Sequence, residues 1–130
     1  MEIVHRTTNI VHLILHRIFI KNKMEISITD SYYNDKIKAR DALYNVIDPE
    51  LFVNVVDLGL IYDIDFKEEK IEVTMTLSTP HCPMGEAITN GVKNALEKEF
   101  PGKEADITLT YDPPWSFEML TPEGREQLGM

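Results

Sequence analysis

Cys82 is the only thiol in a chain of 130 residues, and it stands in the run Ser78-Thr79-Pro80-His81-Cys82-Pro83. A single cysteine excludes an intramolecular disulfide framework and a self-contained four-cysteine metal cage. What remains is a nucleophile, a metal ligand shared with another molecule, or a small buried hydrophobe. Pro83 suits the first position of a helix, so Cys82 is expected at or next to an N-cap. There the free backbone N–H groups and the positive helix end favour a thiolate. The expected consequence is a lowered thiol pKa. Nucleophilic catalysis also needs a base within reach. Outside the first 23 residues the only histidine is His81, the sequence neighbour of Cys82 and a poor candidate for that role. A cysteine hydrolase is therefore disfavoured.

Metal chemistry meets a counting limit. An iron-sulfur cluster usually takes four protein ligands, and this chain offers one thiol. Any metal or cluster at Cys82 must be shared between two chains, completed by a small thiol or a partner protein, or held by carboxylate or hydroxyl ligands. Two further stretches stand out. The segment from Asp48-Pro49-Glu50-Leu51-Phe52 through Asn54-Val55-Val56-Asp57-Leu58-Gly59-Leu60 is too apolar for an ordinary exposed loop, so it must cover or bind something. It reads either as a packed Ω-type loop, with Gly59 supplying a permissive backbone angle, or as a cleft wall carrying Asp48, Glu50 and Asp57 toward Cys82. In Pro113-Pro114-Trp115 the only tryptophan follows a rigid turn, as a core-edge anchor or as a partner contact.

Periodicity supplies the elements that would position these residues. Ala39, Leu43, Val46 and Ile47 follow helical spacing after the polar run Asp30 to Asp35, and Pro49 ends that helix at Asp48. Tyr62, Ile64 and Phe66 alternate with Asp63 and Asp65. Lys67-Glu68-Glu69-Lys70 is a polar turn, after which Ile71, Val73, Met75 and Leu77 alternate with Glu72, Thr74 and Thr76, giving a β-hairpin with one buried face. Met84, Ala87, Ile88, Val92, Ala95, Leu96 and Phe100 form the longest helical stripe, and Pro101-Gly102 terminates it. Ile107, Leu109 and Tyr111 mark a third strand. Thr121 and Pro122 open a short terminal helix closed by Gly129. The fold class is thus α+β: a two-layer αββαβ domain with a small mixed three-stranded sheet, both helices on one face, and a short C-terminal helix.

Charge divides the chain. Arg6, Arg17, Lys21 and Lys23 against Glu2 give residues 1–23 a net charge of +3, whereas residues 24–130 hold nine cations against 21 acids, a net of −12. Residues 1–23 read as a basic accessory extension, disordered or helical, with Ile10, Leu13, Ile14 and Ile18 at helical spacing; Met24 opens a self-sufficient domain, 24–130. The overall charge of −9 is the wrong sign for a phosphate backbone, so nucleic acid is not expected as a partner. The longest apolar run, Ile10 to Ile20, is interrupted and too short to span a bilayer.

Asp48-Pro49-Glu50, Asn54 to Leu60, Ser78 to Pro83, Pro113-Pro114-Trp115, Arg125 and Leu128-Gly129, in that order, resemble the iron-sulfur cluster assembly domain family, PaaD-like or SufT-like. The resemblance covers about residues 33–130. It implies a small α+β domain acting as a carrier, adaptor or targeting factor in iron-sulfur protein maturation rather than as an enzyme. It also implies a site at Asp48, Glu50, Leu51, Ser78, Thr79 and Cys82, with Cys82 as a transient ligand of iron or a cluster and no stably bound cofactor. Partners would be the assembly machinery and apo-clients, met on a surface that includes Trp115 and Asp57, with a homodimer conceivable, in the cytoplasm. The phenylacetate-pathway members carry a further cysteine-containing tail, whereas this sequence has no thiol after Cys82 and looks closer to the short SufT-like proteins. Gly124 stands where alanine is common, and Phe117 where proline is common.

Two rivals come from other classes. One is a redox or acyl-transfer enzyme using the same cysteine. The other is a KH-like nucleic-acid module, which the acidic balance and the missing glycine-rich clamp argue against. Deleting residues 1–23 is expected to leave the thermal midpoint of the remaining domain nearly unchanged. A fall beyond about 4–8 °C, the size of a ~1 kcal/mol loss in a small domain, would place the extension on the core.

Overall fold

A computed structural model describes residues 26–130. The expectations for residues 1–23 lie outside the described residues. The chain runs α1 (Tyr33–Leu43), β1 (Ile61–Phe66), β2 (Lys70–Met75), α2 (Gly85–Glu99), β3 (Glu104–Leu109), a 3-10 turn (Phe117–Met119) and α3 (Pro122–Gln127). β2 is central, antiparallel to β1 and parallel to β3. The helices α1 and α2 pack on each other, α1 also on β1 and α2 also on β3. This is the mixed sheet with helices expected from the periodicity.

Alternation explains the layering. Ile71, Val73 and Met75 of β2 are buried beneath the helices, while Lys70 and Glu72 face water. Ile88, Val92, Leu96 and Phe100 complete the core from α2. At one end Phe66 stacks on Tyr32 and meets Phe100 edge-on, at ring-centre distances of 5.7 and 5.1 Å. The parallel strand β3 needs a crossover, and α2 supplies it. The Lys93 ammonium donates to the Ala105 carbonyl (2.8 Å) and to Glu97 (2.8 Å), and Glu97 accepts the Ala105 N–H (3.1 Å). These bonds occupy backbone groups at the start of the edge strand, where unpaired N–H and C=O would otherwise invite another chain.

Three expectations need correction. The first helix ends at Leu43 rather than Asp48. Val46 and Ile47 have helical spacing, but their backbone is drawn into a small antiparallel pairing: Val55 N–H donates to the Val46 carbonyl and Asp48 N–H to the Val53 carbonyl, each at 2.9 Å. The β1 alternation is broken by a bulge between Ile61 and Asp63, so Ile61 is buried and Tyr62 is turned partly out, its hydroxyl donating to the Pro113 carbonyl (2.8 Å). β3 ends at Leu109, short of Tyr111; within it only Ala105 is fully buried, while Ile107 is half-buried and Leu109 exposed, because an open groove separates this end of the strand from Thr89, Asn90 and Lys93 of α2.

The C-terminal segment returns over the long loop. Thr121 caps α3 by accepting the Gly124 N–H (3.0 Å), and Pro122 takes the first position. Contact with the loop is close enough that side chains are excluded. A Cβ on Gly59, whose φ is +74°, would lie 2.3 Å from the Met119 carbonyl oxygen, and one on Gly124 would lie 2.6 Å from that of Asp57. Gly59→Ala is expected to cost about 2–3 kcal/mol, combining strain at positive φ with a backbone clash. Gly102→Ala, with φ +91° and nothing within 4 Å, should lose only the strain, about 1 kcal/mol. Equal denaturation midpoints for the two variants would show that the Met119 contact yields freely.

Candidate functional site

Two loops build the site. In the first, Asp48 acts as the cap of a single turn. Its Oδ1 accepts the N–H groups of Glu50 (2.8 Å) and Leu51 (3.2 Å), Pro49 leads the turn, and Phe52 N–H returns to the Asp48 carbonyl (2.8 Å). Phe52 ends it at φ 60° with its ring 78% exposed. A bulky residue rarely adopts that backbone angle, and here the pairing of residues 46–48 with 53–55 imposes it. Asp48 is fully buried, and its Oδ2 has no hydrogen-bond partner among the described residues. The turn leaves Glu50 exposed and Leu51 half-buried against the core.

In the second loop the chain leaves β2 through buried Thr76 and Leu77, passes half-buried Ser78 and exposed Thr79 and His81, and reaches half-buried Cys82. Gly85 N–H donates to the Cys82 carbonyl (3.1 Å), closing a turn over Pro83 and Met84. The helix starts after that turn, with Met84 as its cap. A Cβ on Gly85 would lie 2.7 Å from the Leu77 side chain, so the missing side chain lets this loop lie down on the core.

The loops meet where the Cys82 thiol donates to Glu50 Oε1, at 3.7 Å. Burial pushes the thiol pKa up. The Met84 N–H opposes this, while the carboxylates of Glu50 and Asp48 raise it further. The expected lowered pKa is therefore corrected to a raised one. Pro83 lies in the closing turn, so Cys82 stands outside the first turn of α2 with only one N–H turned to it and two negative charges beside it.

The loop geometry thus unites Asp48, Glu50 and Cys82, with Leu51 on the Asp48 turn and Ser78 and Thr79 on the cysteine loop. The other two residues fall elsewhere. Asp57, expected on a partner surface, is 7% exposed, and its carboxylate accepts Asn54 Nδ2–H (2.7 Å) and the Thr121 hydroxyl (2.8 Å). A buried carboxylate requires such donors. Trp115 is half-buried against the core; its Nε1–H donates to the Leu58 carbonyl (2.6 Å), and its ring meets exposed Phe117 edge-on at 5.2 Å. Sequence reasoning missed Phe52, whose type disfavours its backbone angle, and Thr121 as the partner of Asp57, a contact across 64 positions with no local signal.

Among the described residues no group of three or more His, Cys, Asp or Glu side chains could hold a metal ion, so Cys82 and Glu50 make at most an incomplete ligand set. Residues 36–109 match the model of a family described as iron-sulfur cluster assembly protein. The chain belongs to that family. It is 37% identical over 90 residues to the Fe-S protein maturation auxiliary factor YitW of Bacillus subtilis, covering 68% of this chain and 88% of that one. With the Fe-S protein maturation auxiliary factor of Porphyromonas gingivalis it shares 41% identity over 88 residues, 67% of this chain and 84% of the relative. The crystal structure of a DUF59 domain from Bacillus anthracis superposes with a TM-score of 0.68 at 36% identity, over 72% of this chain and 91% of that one. Among the described residues no helix is long and apolar enough to cross a membrane.

Alkylation by iodoacetamide checks the electrostatics. The labelling midpoint of Cys82 should lie above the ordinary free-thiol value of about 8.5. Glu50→Gln should move it down and speed labelling at pH 8, since one of the two opposing charges is gone. An unchanged midpoint would remove Glu50 from control of the thiol.

Proposed function

We propose that this family member is an auxiliary factor of iron-sulfur protein maturation, working through transient ligation of iron or a cluster edge by the Cys82 thiolate beside Glu50. The observation that carries the reading is the thiol–carboxylate pair at 3.7 Å, with the buried Asp48 charge behind it. An incoming cation reverses the electrostatics that keep the thiol protonated. As the S–Fe bond forms, the S–H proton passes to the hydrogen-bonded Glu50 carboxylate and on to water, and the metal's charge replaces the proton's. With no oxidation change required, the step is an exchange of one cation for another.

Weak retention follows from the ligand count. One thiolate and one carboxylate leave most positions on iron open to a client's own thiols, a second copy of this chain or a small thiol. Such a site suits handover, and clients and assembly machinery are the partners this reading implies. The exposed rings of Phe52 and Phe117, the latter braced by Trp115, offer those partners apolar contacts. A reducing compartment such as the cytoplasm keeps the thiol available. The rival thiol enzyme is less well supported, because a raised pKa keeps the thiolate fraction small at neutral pH and the group bonded to the thiol is a carboxylate rather than a histidine.

Anaerobic purification followed by iron and sulfide analysis tests the proposal. The protein should be nearly colourless, should take up ferrous iron weakly and reversibly, and should lose that uptake in Cys82→Ser while still unfolding cooperatively. A stoichiometric cluster retained in a stable dimer would favour a true carrier. Iron uptake unchanged in Cys82→Ser would overturn ligation by the thiol.

A further inference from the structure

Among the described residues β3 is an edge strand, and its free edge changes character halfway along. The even-numbered residues turn their backbone groups to β2, as Glu104 N–H does to the Glu69 carbonyl (3.0 Å) and Thr110 N–H to the Met75 carbonyl (2.9 Å). The N–H and C=O groups of Ala105, Ile107 and Leu109 therefore point outward. Glu97 and Lys93 of α2 take both groups of Ala105, at 3.1 and 2.8 Å. Ile107 and Leu109 have no such cap among the described residues, so their donors and acceptors stand open.

Apolar surface accompanies those groups. Ile107 is half-buried and Leu109 is 41% exposed, both on the helical face, beside a groove of about 280 Å³ along Thr89, Asn90 and Lys93 of α2. An unpaired edge next to uncovered apolar side chains is a template for another strand. The cap on Ala105 selects the strand and its register. A second copy related by a two-fold axis through Thr108 sets Ile107 opposite Leu109 and Leu109 opposite Ile107, and each pair exchanges two backbone hydrogen bonds. Every open group is then used, and the blocked Ala105 is not. An axis through Asp106 or Ile107 would require Ala105, and one through Leu109 would set Ile107 against Tyr111, which lies past the end of β3. Charge agrees with the same register. Asp106, already paired with Lys70 (3.4 Å), faces Thr110 rather than an acid, and Thr108 faces its own copy. Side chains of opposed residues share a face, so Leu109 of the second copy enters the groove.

We infer that the chain forms a reversible homodimer by antiparallel pairing of β3 with β3, joining two three-stranded sheets into one of six strands. The paired stretch is short, which places the interface among weak contacts burying less than about 1,200 Å². Reversal of strand direction sets the two Cys82 loops on opposite sides of the axis, because each follows the end of its sheet where Met75 pairs with Leu109. The dimer thus brings no second thiol to Cys82, and the pairing does not depend on that thiol.

Sedimentation velocity of the full chain under reducing conditions, from about 1 µM to about 1 mM, tests the pairing. Monomer should convert to dimer as concentration rises, and the amides of Ile107 and Leu109 should exchange more slowly in the dimer while that of Ala105 is unchanged. Leu109→Pro deletes an N–H that the monomer does not use, and Leu109→Lys charges the edge. Each should weaken association at least tenfold with the fold retained, as the β1 amide resonances report. Cys82→Ala should leave association unaltered. A chain that stays monomeric at the highest concentration, a dimer that survives either Leu109 substitution, or a dimer lost with Cys82 would overturn the inference. Dimerisation that appears only after residues 1–23 are deleted would also overturn it, by assigning the edge to that segment.

Discussion

A buried carboxylate fastens the molecule's least regular part. Asp57 lies inside the loop between the first helix and the first strand, where an unpaired charge would cost several kcal/mol. It is tolerated because Asn54 and Thr121 both donate to it, and because the Thr121 N–H also reaches the Asp57 carbonyl (2.9 Å). Those bonds join residues 54–60 to the C-terminal segment. Gly59 and Gly124 lack side chains where the two backbones come closest, so the same contact is steric as well as electrostatic. An apolar loop with no regular secondary structure is thereby tied at several points to the end of the chain.

The site inherits its geometry from that fastening. Once residues 53–60 are held, Val53 and Val55 hold the paired arm 46–48, and the Asp48 turn must project Glu50 toward the neighbouring loop. The cysteine loop is set independently, by the end of β2 and by Leu77 filling the space beside Gly85. Rigid elements therefore meet at a contact between two side chains. The contact is electrostatically frustrated, since a half-buried thiol faces two carboxylates. On the proposed reading, a cation would relieve that frustration and a client's thiols would restore it, a reversible behaviour that suits handover rather than storage.

Much of the scaffold could be read along the chain. The β2 alternation, the stripe Ile88, Val92, Leu96 and Phe100, and the Thr121-Pro122 cap are local patterns, and each side chain's burial follows from its place in the period. The loops at the site were legible as residue types and as a family resemblance, but not as electrostatics. The thiol's shift comes first from burial and then from the carboxylates of the facing loop, and the four-residue turn 82–85 leaves Met84 rather than Cys82 as the cap of α2.

By itself the sequence determined the order and type of the elements, a mixed sheet and the residues able to ligate, because periodicity and residue chemistry act over a few positions. Tertiary structure alone decided that Val46 and Ile47 leave the helix, that Asp57 is an internal clamp, and that Phe52 accepts a positive φ with an exposed ring. In each case the deciding partner comes from another part of the chain or from the packing of its neighbours, as with the 53–55 arm and with Thr121 across 64 positions. Burial and hydrogen bonding to such partners outweigh local propensities of only a few tenths of a kcal/mol to about 1 kcal/mol per residue.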